Sequence, residues 1–141
     1  MLKLKDSCLL RSQIFVDGRW LDDKSAPAIE VRNPSGGELV GTVPRAGRDA
    51  TRLAIQAADT AFKSWSRTTA EHRARILRRW YELMLEHQDD LAAIMTAEQG
   101  KPLAEAKGEI GYAASYIEWF AEEAKRTYGD VVPSPWADKQ I

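Results

Sequence analysis

One cysteine, Cys8, is all that 141 residues contain. A lone thiol cannot close an intramolecular disulfide, so no disulfide framework holds this fold and a reducing compartment is expected. An excess of charge of one sign is missing as well: 20 Lys and Arg against 21 Asp and Glu leave a formal net charge of -1. No global field draws the chain to nucleic acid or to an anionic membrane. Long apolar runs are also lacking. The opening MLKLKDSCLLRSQIFV is broken by charge too often for a signal peptide or a membrane span, and the cytoplasm is the expected location. There is no GxGxxG fingerprint, no internal repeat and no low-complexity tract. His72 and His87 lie far apart in sequence, without the cysteine or carboxylate spacing of a zinc site.

What is present reads as one domain, and a chain of this size buries roughly 70% of its extended surface on folding. Residues 1–13 form a leader. The stretch IFVDGRWL (14–21) is the clearest strand signal, and Asp17-Gly18 fits a two-residue type I′ hairpin turn. Ile29-Glu30-Val31-Arg32 alternates apolar and polar, Asn33-Pro34-Ser35-Gly36-Gly37 is turn chemistry, and Leu39–Val43 resumes an extended run. Residues 14–45 are therefore short strands and turns.

From Arg48 the apolar period changes to that of a helix. Ala50, Ala54, Ala57, Ala58, Ala61, Phe62 and Trp65 form one stripe of a helix over 48–65. Thr68-Thr69-Ala70-Glu71 matches a capping box opened by Thr68. The helix behind it carries Ile76, Leu77, Trp80, Tyr81 and Met84 on one side. Asp89 and Asp90 favour a further helix start through the macrodipole, with Leu91, Ile94 and Met95 as its buried edge. Pro102 opens the last helix, which runs to about Tyr128. Its apolar stripe is Leu103, Ala106, Ile110, Ala113, Ala114, Ile117, Ala121 and Ala124. The chain then ends at VVPSPWADKQI, which has no closing element and reads as a cut through a longer protein.

Few segments carry candidate chemistry. Gly100-Lys101 sits where a phosphate loop would, but Pro102 follows in place of Ser or Thr and removes a backbone donor, and Met95 occupies the upstream glycine position. The triplet suits a helix joint better, with Gly100 at positive φ and Pro102 at the first helical position. Glu105 and Glu109 are one turn apart, a spacing for a metal or an acid–base pair; Lys101 and Lys107 beside them favour plain charge balance. Arg73, Arg75, Arg78 and Arg79 read as a solvated helix face. Cys8 lies in a flexible leader with no histidine at a recognisable spacing, which argues against a nucleophile. Glu109, Tyr112, Tyr116 and Trp119 recur opposite the alanine stripe of the last helix. A helix with two apolar faces sits between two bodies of protein, or one face lines a ligand channel.

In order, FVDGRW, NPSGGELVGTVP, AIQAADTAFKSW, TTAEHRARILRRWYELM and LAAIMTAEQGKPLAEAKGEI resemble the N-terminal portion of the NAD(P)-dependent aldehyde dehydrogenases. The segment from HQDDLAAIM to KRTYGD looks most like the succinate-semialdehyde branch, with glutarate-semialdehyde relatives close. The resemblance implies an α/β parent fold, of which 46–141 would be the helical part of an incomplete cofactor-binding domain. It implies an enzyme in which a cysteine thiolate attacks an aldehyde, hydride passes to NAD or NADP, and water activated by a glutamate releases the acid. In the family's order the catalytic asparagine, glutamate and cysteine, the cofactor segment and the substrate-carboxylate arginines all fall beyond Ile141. No catalytic or cofactor-binding residue is therefore expected here, and Cys8 does not match the family's nucleophile. The same resemblance places Gly108, Glu109 and Tyr112 at the substrate entrance. It places a monovalent cation on the backbone carbonyls of Val31 and Arg32 and on Glu98, where the family commonly has Asp. The expected partners are a small aldehyde and further copies of the chain in a dimer or tetramer, with neither nucleic acid nor membrane. A different class of reading is a non-catalytic helical module that binds a partner through the aromatic face.

Overall fold

A computed structural model describes residues 2–22, 26–130 and 132–139. The expected open end at Ile141 lies outside the described residues. Among them are two antiparallel strand pairs followed by four α-helices. The fold is mostly helical with short N-terminal hairpins, as the sequence implies.

The first hairpin pairs β1 (Ile14–Val16) with β2 (Arg19–Leu21), and Phe15 faces Trp20 across it. Asp17 and Gly18 both adopt positive φ, 52° and 73°, as a type I′ turn requires. Aromatic contact reinforces the pair, with the Phe15 and Trp20 ring centroids 5.0 Å apart. The second hairpin pairs β3 (Ala28–Arg32) with β4 (Leu39–Pro44), and a register shift falls between Val31 and Arg32. Asn33 organises its turn. The side-chain oxygen accepts Ser35 N–H at 2.9 Å, and its carbonyl accepts Gly37 N–H at 2.8 Å.

Helix α1 (Arg48–Trp65) spans the expected residues but buries none of them. Ala54, Ala57, Ala58 and Ala61 instead form a shallow groove against Phe15, Val16 and the Asp17-Gly18 turn. Helix α2 (Ala70–Glu86) is capped by Thr69, whose hydroxyl accepts His72 N–H at 3.2 Å. The capping box expected from Thr68 is thus displaced by one residue. The Thr68 hydroxyl donates to Trp65 O at 2.7 Å and closes the end of α1 instead. Ala74 is buried, while Ile76 and Trp80 of the expected α2 stripe turn outward, at 45% and 53% exposure.

Helix α3 (Gln88–Gln99) ends at Gly100, whose φ of 80° and N–H bond to Thr96 O at 2.9 Å are those of a left-handed cap. Pro102 stands just before α4 (Leu103–Glu123), one residue earlier than expected, and its carbonyl accepts Ala106 N–H at 3.0 Å. The α-helix ends at Glu123 rather than near Tyr128, passing into a 3-10 helix over Ala124–Arg126.

Alanines let these helices approach closely. Ala92, Ala106, Ala114 and Ala121 are all but inaccessible, and Ala92, Ala106 and Ile110 form one cluster with half-buried Leu91 and Met95 beside it. Leu103 and Ala113 of the expected α4 stripe stay exposed. Polar ties frame this thin core: Gln88 Nε2 donates to Lys107 O at 3.0 Å, and Arg78 pairs with Glu118 at 2.7 Å. Arg79 pairs with Glu82 and Glu86, so much of the arginine run serves intramolecular ion pairs on the surface of the bundle. The leader is not loose. Both carboxylate oxygens of buried Asp90 accept backbone N–H groups from Lys5 and Asp6, which docks it on the start of α3.

Candidate functional site

A concavity of about 710 Å³ lies along the outer face of α4. Tyr112, Ser115, Tyr116, Trp119 and Phe120 line it, one above the next at helical spacing. Their side chains point away from the face that carries Ala106, Ile110 and Ala114, so packing of that inner face aims the aromatics outward. Tyr112 and Trp119 are each 64% exposed. The two tyrosines form one unit. Their hydroxyls share a hydrogen bond of 2.6 Å, either oxygen able to donate, and their rings meet edge-on at 5.0 Å. The Tyr112 hydroxyl, and then partial burial, raise the Tyr116 phenol above its ordinary value, because both favour the neutral form. Glu118, held by Arg78, gives the concavity a charged border.

Glu109 does not share this space. It lines a second groove, of about 400 Å³, with Leu91, Ile94, Met95, Glu98 and Ile110. Its carboxylate is ion-paired with Lys101 across the helix joint. Lys107 pairs at 2.7 Å with Asp89, on α3, so of the two lysines expected to balance Glu105 and Glu109 only Lys101 pairs with either of them. Gly108 is exposed on α4, and a Cβ there would meet nothing within 4 Å. The three residues expected at the substrate entrance thus lie along one stretch of α4 but open onto different surfaces.

Val31 and Glu98 do come together. They border a cavity of about 190 Å³, with Leu10, Ser12, Gly41 and Thr42 among the other walls. The turn after β3 reaches the helix joint as well: a Cβ on Gly100 would sit 2.8 Å from Pro34 Cγ. Arg32 is not a wall of the cavity. Its guanidinium binds Glu30 at 2.8 Å and Gly37 O at 2.9 Å. The ladder is disrupted at the bulge between Val31 and Arg32, where backbone carbonyls leave regular pairing. Among the described residues no group of three or more His, Cys, Asp or Glu is arranged to hold a metal ion. Oxygen ligands at this cavity would therefore be backbone carbonyls, hydroxyls and the single Glu98 carboxylate, a donor set for a hard cation of low charge.

The sequence pattern finds Tyr112, Tyr116 and Trp119 but misses Ser115 and Phe120. Their signal was available, since Ser115 is three residues from Tyr112 and Phe120 is four from Tyr116. Cys8 is exposed in the 3-10 helix Ser7–Leu9, where its backbone N–H donates to Asp6 Oδ1 at 2.8 Å.

The profile of the aldehyde dehydrogenase family matches residues 20–141. The chain belongs to that family. It is 59% identical over 140 residues to the NADP(+) succinate-semialdehyde dehydrogenase of Escherichia coli (strain K12), covering 99% of this chain and 29% of that protein. It is 58% identical over 140 residues to a glutarate-semialdehyde dehydrogenase of Pseudomonas putida, again 29% of that protein. A crystal structure of an E. coli NADP-dependent enzyme superposes with a TM-score of 0.95 at 59% identity, over 98% of this chain and 29% of that one. This aldehyde dehydrogenase sequence therefore spans under a third of its relatives. No helix among the described residues is long and apolar enough to cross a membrane.

Proposed function

We propose that this chain is the N-terminal part of an NAD(P)-dependent oxidoreductase that converts succinic semialdehyde to succinate and is not catalytically competent alone. Glutaric semialdehyde is the alternative substrate, followed by a betaine-aldehyde-like one. In this reading residues 1–13 are a leader and 14–45 are strands that assist assembly into a dimer or tetramer. Residues 46–141 are the helical part of a cofactor-binding domain completed by further chain. Identity of 59% to a protein more than three times longer is the observation that carries the reading.

Surface area supports it. A folded monomer of 15.8 kDa exposes roughly 7,300 Å² by the usual mass scaling, and this chain exposes 10962 Å², about half as much again. Phe62 of α1 and Tyr112 and Trp119 of α4 contribute to that excess, each 64% exposed. Large aromatics left this open are what a larger protein covers.

Gly108, Glu109 and Tyr112 would border the substrate mouth, and Val31, Arg32 and Glu98 would hold a monovalent cation through carbonyls and one carboxylate. The nicotinamide cofactor would supply the hydride acceptor from residues outside this chain. The test is the coding DNA after codon 141. An in-frame continuation with a cofactor segment and a cysteine supports the proposal, and the extended protein should then favour succinic over glutaric semialdehyde in kcat/KM. A stop codon there would leave the other class of reading, a helical module that binds a partner through its aromatic face.

A further inference from the structure

The first residues of the chain are built as a strap. Leu2, Leu4 and Asp6 are half-buried and alternate with exposed Lys3 and Lys5, the period of an extended segment lying with one side on the protein. Asp90, in the first turn of α3, is 5% exposed. Its Oδ1 accepts Lys5 N–H at 3.0 Å and its Oδ2 accepts Asp6 N–H at 2.7 Å. A carboxylate this far out of water needs such donors, and bonds to a charged acceptor are stronger than neutral ones. Removing the acceptor would strand two part-buried N–H groups. The neighbouring ion pairs are of a different kind. Lys5 Nζ meets Asp89 at 2.9 Å and Lys107 meets it at 2.7 Å, all three side chains being well exposed.

From Asp6 the path is short. Asp6 Oδ1 accepts Cys8 N–H at 2.8 Å and starts the 3-10 helix Ser7–Leu9. Leu10, Arg11 and Ser12 follow at once as a wall of the Val31–Glu98 cavity. The Arg11 guanidinium lies over the Trp20 ring, 5.0 Å from its centroid, and ties that wall to the first hairpin. Four residues span at most about 14 Å even when extended, so anchoring Asp6 confines Leu10.

We infer that Asp90 is the clasp of an N-terminal strap and, by holding Lys5 and Asp6, positions Leu10, Arg11 and Ser12 as one wall of the Val31–Glu98 cavity. Asp90 does not line that cavity and acts on it only through the strap. The assignment depends on the fold of this chain and not on the reaction of the longer enzyme.

Amide hydrogen exchange and limited trypsin digestion of the 141-residue chain test it, with Asp90→Asn and Asp89→Asn compared with the parent. The parent should protect the Lys5 and Asp6 amides. Asp90→Asn should speed their exchange by roughly tenfold or more and speed tryptic cleavage after Lys5 and Arg11, while Ala106 and Ile110 keep their protection. Asp89→Asn, which loses only exposed pairs, should stay within about twofold of the parent. Unprotected Lys5 and Asp6 amides in the parent would overturn the inference. So would an Asp90→Asn variant that matches the parent, an Asp89→Asn variant that matches Asp90→Asn, or loss of protection at Ile110 together with the strap.

Discussion

The Asp90 carboxylate accepts the backbone N–H of Asp6 at 2.7 Å, joining residues 84 apart in sequence. That bond, with its companion from Lys5, turns the opening residues into part of the fold and brings a strap, a helix start and a hairpin into register.

Acid should undo it. The Asp6 N–H first, then the Lys5 N–H, hold the Asp90 carboxyl below its ordinary 3.8, assisted by the charges of Lys5 and His87. Asp89, bonded to Lys107 and Lys5, is held at about 2. A carboxyl depressed by folding stabilises the folded form above its unfolded value and loses that contribution as pH falls through its folded value. The strap should therefore stay docked from neutral pH down to about 4 and release below it. Exchange at the Lys5 and Asp6 amides, corrected for the intrinsic effect of pH, should rise only in that acid range. A rise centred near neutrality would contradict the role of the carboxylates.

Gly100 and Gly108 should respond oppositely to alanine. At Gly100 the φ of 80° and a Cβ 2.8 Å from Pro34 Cγ make Gly100→Ala cost about 1–3 kcal/mol. Gly108 lies within α4 with open space around it, so Gly108→Ala should stabilise by roughly 0.5–1 kcal/mol. Urea midpoints of the two variants check both signs. Equal effects would mean that the helix joint does not rest on the β3–β4 turn.

Local pattern made much of this fold legible. Asp17-Gly18 gives its turn away because few residues tolerate two positive φ values in succession, and the span of α1 follows from alanine spacing. The stripe of α1 could not reveal that none of its residues is buried, since periodicity reports an apolar face and not what covers it. The capping pattern points to Thr68 because Glu71 stands three residues after it, yet the hydroxyl that reaches the open helix end is that of Thr69. The role of Asp90 had no local signal at all. As a first-turn acid it looks like a dipole partner, and its distant bonds to Lys5 and Asp6 appear only once the chain is folded. At the candidate site, spacing gathers Tyr112, Tyr116 and Trp119 correctly but also groups them with Glu109, which opens onto a different groove.

The exposed aromatics should make the isolated chain associate with itself. Trp119 and Tyr112 stand at 64% exposure on one face, and a tryptophan in a protein contact commonly dominates its energy. Sedimentation should show species heavier than the 15.8 kDa monomer that grow with concentration. Trp119→Gln should weaken that association by roughly tenfold. A monomer at every concentration, with a sharp cooperative melt, would favour an independent module over a piece of a larger enzyme.

As proposed, this chain carries part of the frame of an aldehyde dehydrogenase without its chemistry. The direct measurement is reduction of NAD or NADP by the purified 141-residue chain supplied with succinic semialdehyde. No aldehyde-dependent signal is expected with either cofactor, and none from a Cys8→Ser variant. Turnover by the parent chain, above all turnover abolished in Cys8→Ser, would contradict it.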